Sequence, residues 1–229
     1  MTTTLDATAP EATLAVVPHQ TSRALGVEFI GTFFLVFTVG ASVYSGSALA
    51  PLAIGASLMV MVYAGGHISG GHYNPAVTMA VLVRGRIRFA EAVEYWVAQL
   101  VAGVIAALVV RSVVTPGHVT ALDLSGHALA AALVVELLFT FALAYVVVNV
   151  ATSKDHPDNS FYGLAIGFTV TAGAVAVGGI SGGAFNPAVV LGGAVMGLWD
   201  WTTLIYLVAE LIAGAIAGLA FRALNPADK

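Results

Sequence analysis

The sequence predicts an all-α membrane protein, with six transmembrane helices and two half-helices arranged as an inverted repeat. Three observations carry that reading. The 229-residue chain is 59% hydrophobic and only 9% charged, with a mean hydropathy of +0.95, whereas soluble domains are about 45–50% apolar and about 25% charged. Six apolar runs each come near the roughly 20 residues that a helix needs to cross the hydrocarbon. One twelve-residue string occurs nearly twice, as GHISGGHYNPAV at 66–77 and GGISGGAFNPAV at 178–189.

Taken in order, residues 1–22 carry Asp6 and Glu11 but no Lys or Arg before Arg23. They read as a short disordered tail, since a secretory signal starts basic and ends in a cleavage site. Apolar spans follow at about 24–44, 49–67, 88–110, 127–149, 161–179 and 202–222, and 225–229 form a second tail. Two further stretches, 75–83 and 187–196, are too short to span. Each starts with Pro just after Asn, and proline in the first turn of a helix forfeits no hydrogen bond. They read as half spans. With six spans and both ends inside, Arg23, Arg84, Arg86, Arg88, Lys154, Arg222 and Lys229 are cytoplasmic and Arg111 alone is external. That is the asymmetry the positive-inside tendency requires. Both termini are therefore expected in the cytoplasm, with the cell membrane as the expected location.

The repeat extends well beyond the twelve residues. Asn186 and Asn74 are 112 apart, and the same offset relates ISGG at 180–183 to 68–71 and LAIG at 164–167 to 52–55. YWVAQLVAG at 95–103 matches YLVAELIAG at 206–214 with an offset of 111, and Glu28 and Glu136 are 108 apart. The chain is thus a pair of homologous halves, about 23–115 and 127–224. Three full spans per half mean that the second half inserts upside down. In such folds the site lies near the midplane, where interrupted helices meet.

Physics gives the doubled motif a task. ISGG and the two residues after it are too glycine-rich for regular helix, and irregular backbone is tolerated at membrane depth only where it is buried or faces a watery cavity. Each loop ends at a helix N-terminus, where unpaired N–H groups carry about half a positive charge. Two such ends, entering from opposite faces, meet at the centre with Asn74 and Asn186 as side-chain donors. That arrangement suits single-file passage of water or polar solutes and opposes cations.

GHISGGHYNPAVT, the second NPA, a Glu in spans 1 and 4, and six spans with two half-helices resemble the aquaporin, or major intrinsic protein, family. The resemblance covers about 23–224, and paired NPA motifs at this spacing are highly specific. It implies a right-handed bundle, a pore through each subunit of a homotetramer, and pore signatures at Asn74, Pro75, Ala76, Asn186, Pro187 and Ala188. By the same match, carbonyls of Gly70, Gly71, His72 and Tyr73, and of Gly182, Gly183, Ala184 and Phe185, line the path. Glu28 and Glu136 would accept hydrogen bonds from the loop of their own half. The chain departs from the family at the outer constriction, where an aromatic, a His, a small residue and an Arg are usual. The matching positions are Ile54, Ala174, Gly183 and Val189. Some plant vacuolar relatives also carry Val after the second NPA. Loss of Arg and His removes fixed donors and bulk, so the resemblance implies a wide apolar filter passing water and small neutral solutes: glycerol, urea, ammonia, hydrogen peroxide or metalloid acids.

Other classes fare worse. The net charge of −4 offers no stripe for nucleic acid. The absence of Cys removes thiol catalysis and thiolate metal sites, and no nucleophile–base pair suggests an enzyme. His67 and His72 read as structural, so no metal or cofactor is expected. The small-residue spacings Gly103-xxx-Ala107, Gly163-xxx-Gly167 and Gly214-xxx-Gly218 read as close helix contacts. A secondary transporter is the alternative, since it too uses inverted repeats and broken helices. It needs a binding carboxylate, for which Glu210, whose repeat mate is the neutral Gln99, is the one candidate.

Overall fold

The structure is a computed structural model, and it describes residues 21–114, 122 and 124–228. The tail expected at 1–22 lies outside the described residues except for its last two positions, as do Lys229 and much of the 111–127 connection. The described chain folds as α1 (Thr21–Tyr44), α2 (Ala50–Ser69), α3 (Pro75–Arg84), α4 (Phe89–Val113), α5 (Gly126–Thr152), α6 (Tyr162–Ser181), α7 (Pro187–Met196), a 3-10 segment (Trp201–Ile205) and α8 (Tyr206–Leu224). Six of these segments are long and apolar enough to cross a membrane, the last combining the 3-10 segment with α8. The two short helices have ten residues each. At about 1.5 Å per residue each reaches about 15 Å, half of a hydrocarbon core of about 30 Å.

The halves pack as equivalents. α1 lies on α2 and α4, as α5 lies on α6 and α8. α2 and α6 meet each other, whereas each half-helix packs on the third span of the other half, α3 on α8 and α7 on α4. Small residues permit that exchange. A Cβ at Gly214 in α8 would stand 2.1 Å from the carbonyl oxygen of Ala76, and one at Gly103 in α4 would stand 2.6 Å from that of Ala188. The spacings read from the sequence as close contacts are therefore close contacts. Gly167 and Gly218 also touch backbone carbonyls, those of Gly55 and Ala80, while Gly163 meets the Tyr63 ring.

The outer surface inverts the pattern of a soluble protein. Val97, Val101, Ile105 and Leu108 on α4 are exposed, and so are their repeat mates Val208, Ile212, Ile216 and Leu219 on α8. Facing inward on the same helices are Ala102, Ala106, Ala213 and Ala217. Large apolar side chains outside and alanines inside suit a lipid solvent, in which helices gain from close backbone approach rather than from hiding hydrophobic area.

One expectation needs correction. The ISGG strings are not irregular throughout, because Ile68–Ser69 and Ile180–Ser181 form the last residues of α2 and α6. The helices stop at Gly70 and Gly182, which take left-handed conformations (φ 90° and 92°) and return their N–H to the carbonyls of Gly66 and Gly178. Glycine accepts that conformation without steric cost. The irregular stretches are thus only 70–73 and 182–185.

At one end of the bundle the chain closes on itself. Asp228 accepts from Arg84 Nη2 (2.6 Å), Arg86 Nη2 (3.1 Å) and the N–H of Lys154 (2.9 Å), while Lys154 Nζ donates to Ala227 O (2.6 Å). Within the tail expected at 225–229, residues 225–228 are held against the bundle through Asp228, because a buried arginine beside it needs a counter-charge. Arg84 is itself buried, and its guanidinium sits 4.2 Å from the centre of the Phe221 ring.

Candidate functional site

Each irregular loop is built to deliver one asparagine to the start of a half-helix. After Gly70 and Gly71 (φ 65°) the chain reaches Tyr73 with φ 49°, and after Gly182 and Gly183 (φ 68°) it reaches Phe185 with φ 48°. A bulky residue in the left-handed region costs on the order of 1–3 kcal/mol and persists only where its surroundings over-determine it. Here they do. Glu28 Oε1 accepts from Ser69 Oγ (2.7 Å) and the N–H of His72 (2.9 Å), and Oε2 accepts from the N–H of Tyr73 (2.7 Å). Glu136 does the same for Ser181 Oγ (2.6 Å), Ala184 (3.0 Å) and Phe185 (2.7 Å). The two aromatic rings are buried, Tyr73 against Gly31 and Gly65 and Phe185 against Gly173.

The asparagines then join the halves. Asn74 Oδ1 caps α3 by accepting from the N–H of Ala76 (2.8 Å) and Val77 (3.4 Å), and Asn186 Oδ1 caps α7 through Ala188 (2.9 Å). Their amide nitrogens cross over: Asn74 Nδ2 donates to Phe185 O (2.8 Å) and Asn186 Nδ2 to Tyr73 O (2.9 Å). An amide nitrogen has two N–H bonds, so each asparagine keeps one donor beyond this exchange. The carbonyls of Tyr73 and Phe185 are engaged by the opposite half rather than standing wholly free along a path.

One narrow space borders this junction, and a wider void opens on the far side of His72. The narrow space, of about 20 Å³, is bordered by Asn74, Asn186, His72, Gly183, Ala184, Ile54 and Val189, with aliphatic walls that include Leu58, Ile166 and Val170. Among the described residues, no carboxylate or basic side chain other than His72 borders it. By this measure a water needs about 10–15 Å³, so the space admits about one molecule at a time. A vestibule of about 570 Å³ lies toward the Asp228 end and is bordered by Gly70, His72, Arg86, Glu91, Lys154, His156 and Asp158 among others. His72 touches both voids, with its Nδ1 3.0 Å from Thr78 Oγ1.

The structure brings Ile54, Gly183 and Val189 to one space. Ala174 borders Gly183, its Cα 3.5 Å from where a Cβ of Gly183 would begin. Val62, 112 residues earlier, stands in the same relation to Gly71. Glu210 does not border the central space. Its carboxyl lies behind the second loop, where Oε1 accepts from the N–H of Asn186 (2.9 Å).

The motif did not identify several residues on which the loops depend. Ser69 and Ser181 each bridge a Glu and the N–H two residues on, Gly71 and Gly183 (both 3.1 Å). Tyr95 and Tyr206 donate to the carbonyls of Ser69 (2.9 Å) and Ser181 (3.3 Å). Gln99 Nε2 donates to Glu28 Oε2 (2.8 Å) and to Thr78 Oγ1 (3.0 Å). The signal for the tyrosines and Gln99 was the second repeated string, YWVAQLVAG and YLVAELIAG.

The model of the major intrinsic protein family matches residues 17–221. The chain belongs to that family. It is a multi-pass membrane channel of the aquaporin and glycerol-facilitator kind, for water and small neutral solutes, and not an enzyme. It is similar to glycerol uptake facilitator protein-like 6 of Lactiplantibacillus plantarum, 37% identical over 221 residues that cover 88% of this chain and 97% of that one. It is also similar to aquaporin TIP1-1 of Arabidopsis thaliana, 40% identical over 188 residues that cover 80% of this chain and 73% of the relative. The X-ray structure of the aquaglyceroporin from Plasmodium falciparum shares the fold, with a TM-score of 0.73 over 90% of this chain and 95% of that chain at 21% identity.

Proposed function

We propose that solutes pass in single file between α3 and α7, guided by Asn74 and Asn186, and are sorted by an apolar ring of Ile54, Ala174, Gly183 and Val189. The observation that carries this reading is the junction itself: two capped half-helix N-termini with their asparagines crossed, beside a space that holds about one water. Each N-terminus contributes about half a positive charge, and an ion entering an apolar space must shed its hydration. Cations and protons are therefore refused while neutral molecules pass. The remaining N–H of each asparagine and the carbonyls of Gly70, His72, Gly183 and Ala184 replace the water that a solute leaves behind.

The ring contains no guanidinium and no imidazole, so its selectivity rests on size and wetting. Water and small uncharged solutes such as glycerol, urea, ammonia, hydrogen peroxide and metalloid acids are the substrate class. A glycerol uptake facilitator and a plant aquaporin among the relatives agree with that breadth. The transporter alternative loses its candidate carboxylate, because Glu210 lies behind the loop and not at the central space. For orientation, Arg84, Arg86, Lys154 and Arg222 bond at one end of the bundle, while Arg111 bonds to Val195 O in the last turn of α7. With the basic end inside, both termini are cytoplasmic. The apolar outer faces of α4 and α8 serve lipid and the contacts of a homotetramer in the cell membrane.

Val189→Arg tests the ring. The guanidinium adds bulk, donors and a fixed charge beside Ile54 and Gly183, which penalises glycerol and urea more than water. The glycerol-to-water permeability ratio should fall in light-scattering flux at matched reconstitution, with no proton leak on an internal pH dye. An unchanged or higher ratio places Val189 outside the ring and removes the case for broad selectivity.

A further inference from the structure

The two halves repeat almost the same hydrogen bonds, with one chemical exception. In the first half Glu28 has four donors: Ser69 Oγ, the N–H of His72, the N–H of Tyr73, and Gln99 Nε2 at 2.8 Å on Oε2. In the second half Glu136 has the counterparts of the first three, from Ser181, Ala184 and Phe185. The fourth place, which belongs to an amide N–H in the first half, is faced by a carboxyl. Glu210 stands 111 residues after Gln99 in the repeated string, and its carboxyl lies beside that of Glu136, since the successive N–H groups of Phe185 and Asn186 donate to Glu136 (2.7 Å) and to Glu210 (2.9 Å).

Both carboxyl groups are fully buried. Glu210 Oε1 accepts from the N–H of Asn186, and Oε2 has no hydrogen-bond donor among the described residues. An ionised carboxylate is acceptor-only, so two of them cannot bond to each other, and each would face a like charge in a medium that screens poorly. A carboxylic acid has the one group that the place requires, an O–H donor. The remaining titratable group of this nest is Tyr206 on the same helix, whose hydroxyl is committed to Ser181 O.

We propose that Glu210 is a neutral carboxylic acid whose Oε2–H donates to Glu136, positioning the second loop as the Gln99 amide positions the first. The proton makes the two chemically different halves electrically alike. A carboxyl group bonded by the donors of its own loop, Glu28 or Glu136, then stands behind each half-helix entry, with a neutral donor beside it in both halves. Glu210 is a positioning residue, since it touches the path only through the loop it holds.

The test uses the full chain in liposomes and compares wild type, Glu210→Gln and Glu210→Leu. In the infrared, wild type should show a carboxylic-acid C=O stretch that shifts in deuterium oxide, and Glu210→Gln should lose it. Gln restores the donor and acceptor that the site needs, so its water permeability should match wild type, whereas Leu, of similar size but with neither, should lower it. Absence of a protonated-carboxyl band in wild type, or its survival in Glu210→Gln, overturns the proposal. So does a Gln variant that fails as the Leu variant does. Should the Leu variant not insert, the spectra of wild type and Glu210→Gln still decide. The flux arm rests on the reading of 182–186 as pore wall and the infrared arm does not, so the two can fail separately.

Discussion

Gly214→Ala puts a single methyl group against the backbone of the first Asn-Pro-Ala motif. The added carbon would stand 2.1 Å from Ala76 O, against the 3.4 Å at which ordinary contact begins, a deficit of roughly 1.3 Å. The obstacle is a carbonyl in the first turn of α3, so no side chain can rotate away, and the half-helix or α8 has to move. Overpacking of this kind costs about 1–3 kcal/mol, and a backbone obstacle belongs at the upper end. The central space measures only about 20 Å³, so a shift of about 1 Å in Ala76 also changes what passes. A barrier higher by about 1.4 kcal/mol lowers water permeability about tenfold. Two comparisons make the reasoning quantitative. Gly103→Ala meets Ala188 O at 2.6 Å, a smaller deficit, and should do proportionately less. Gly26→Ala meets nothing within 4 Å and should be neutral or stabilise by about 0.5–1 kcal/mol, as alanine does in place of glycine within a helix. Stopped-flow light scattering at matched insertion, with thermal unfolding in detergent, measures both effects. A Gly214→Ala protein that unfolds and conducts like wild type would refute the claim that this contact sets the position of α3.

Asn74→Ala and Asn186→Ala each remove a helix cap, worth about 1 kcal/mol, and leave a buried carbonyl of the other half without its donor, at about 1–3 kcal/mol. Both should lower the unfolding temperature and reduce flux or loosen ion exclusion, and two variants that select and conduct like wild type would sink the central-junction reading. Asp228→Asn should loosen the end of the bundle at neutral pH. Burial pushes the Asp228 carboxyl upward, but the hydrogen bonds of Lys154 and Arg84 and the charge of Arg84 outweigh it and hold the group below its ordinary range. A lowered pKa means that the clasp stabilises above the unfolded value of about 3.9 and is lost as pH falls through the folded one. The difference in melting temperature between wild type and Asp228→Asn should therefore shrink on acidification, and a constant difference would argue against a charge-based clasp.

The spans were legible because apolar length is a property of contiguous residues. The half-helices were legible because proline after asparagine marks a helix start with little ambiguity. The ends of α2 and α6 were misjudged by two residues, since glycine content was weighed over the whole ISGG string whereas the helix stops at the first left-handed glycine, Gly70 or Gly182. The left-handed Tyr73 and Phe185 could not be read at all, because nothing in an aromatic residue announces positive φ. That conformation is imposed by Glu28 and Glu136, 45 and 49 residues away. The fold-back of Asp228 onto Arg84 spans 144 residues and has no repeat mate to point to it. Gln99 and Glu210 were visible as a mismatched pair within a repeat. The meaning of the mismatch appeared only when both side chains were found turned toward the same carboxylate position.

Why the motif must occur twice follows from where its bonds go. The carbonyl that each loop leaves exposed, on Tyr73 or Phe185, finds its donor on the asparagine of the opposite loop, 113 or 111 residues away. Each half-helix likewise finds its packing partner in the third span of the opposite half, at Gly214 for Ala76 and Gly103 for Ala188. One half alone would carry a polar carbonyl into the centre of a bilayer with no partner, a cost of several kcal/mol, and a half-helix with no groove to receive it. The second copy supplies both only if it enters from the other side, since only then do two N-termini converge. The same inversion that closes the hydrogen bonds therefore also places both positive helix ends at one point. Structural completion and the convergence of the two positive helix ends have a single geometric origin.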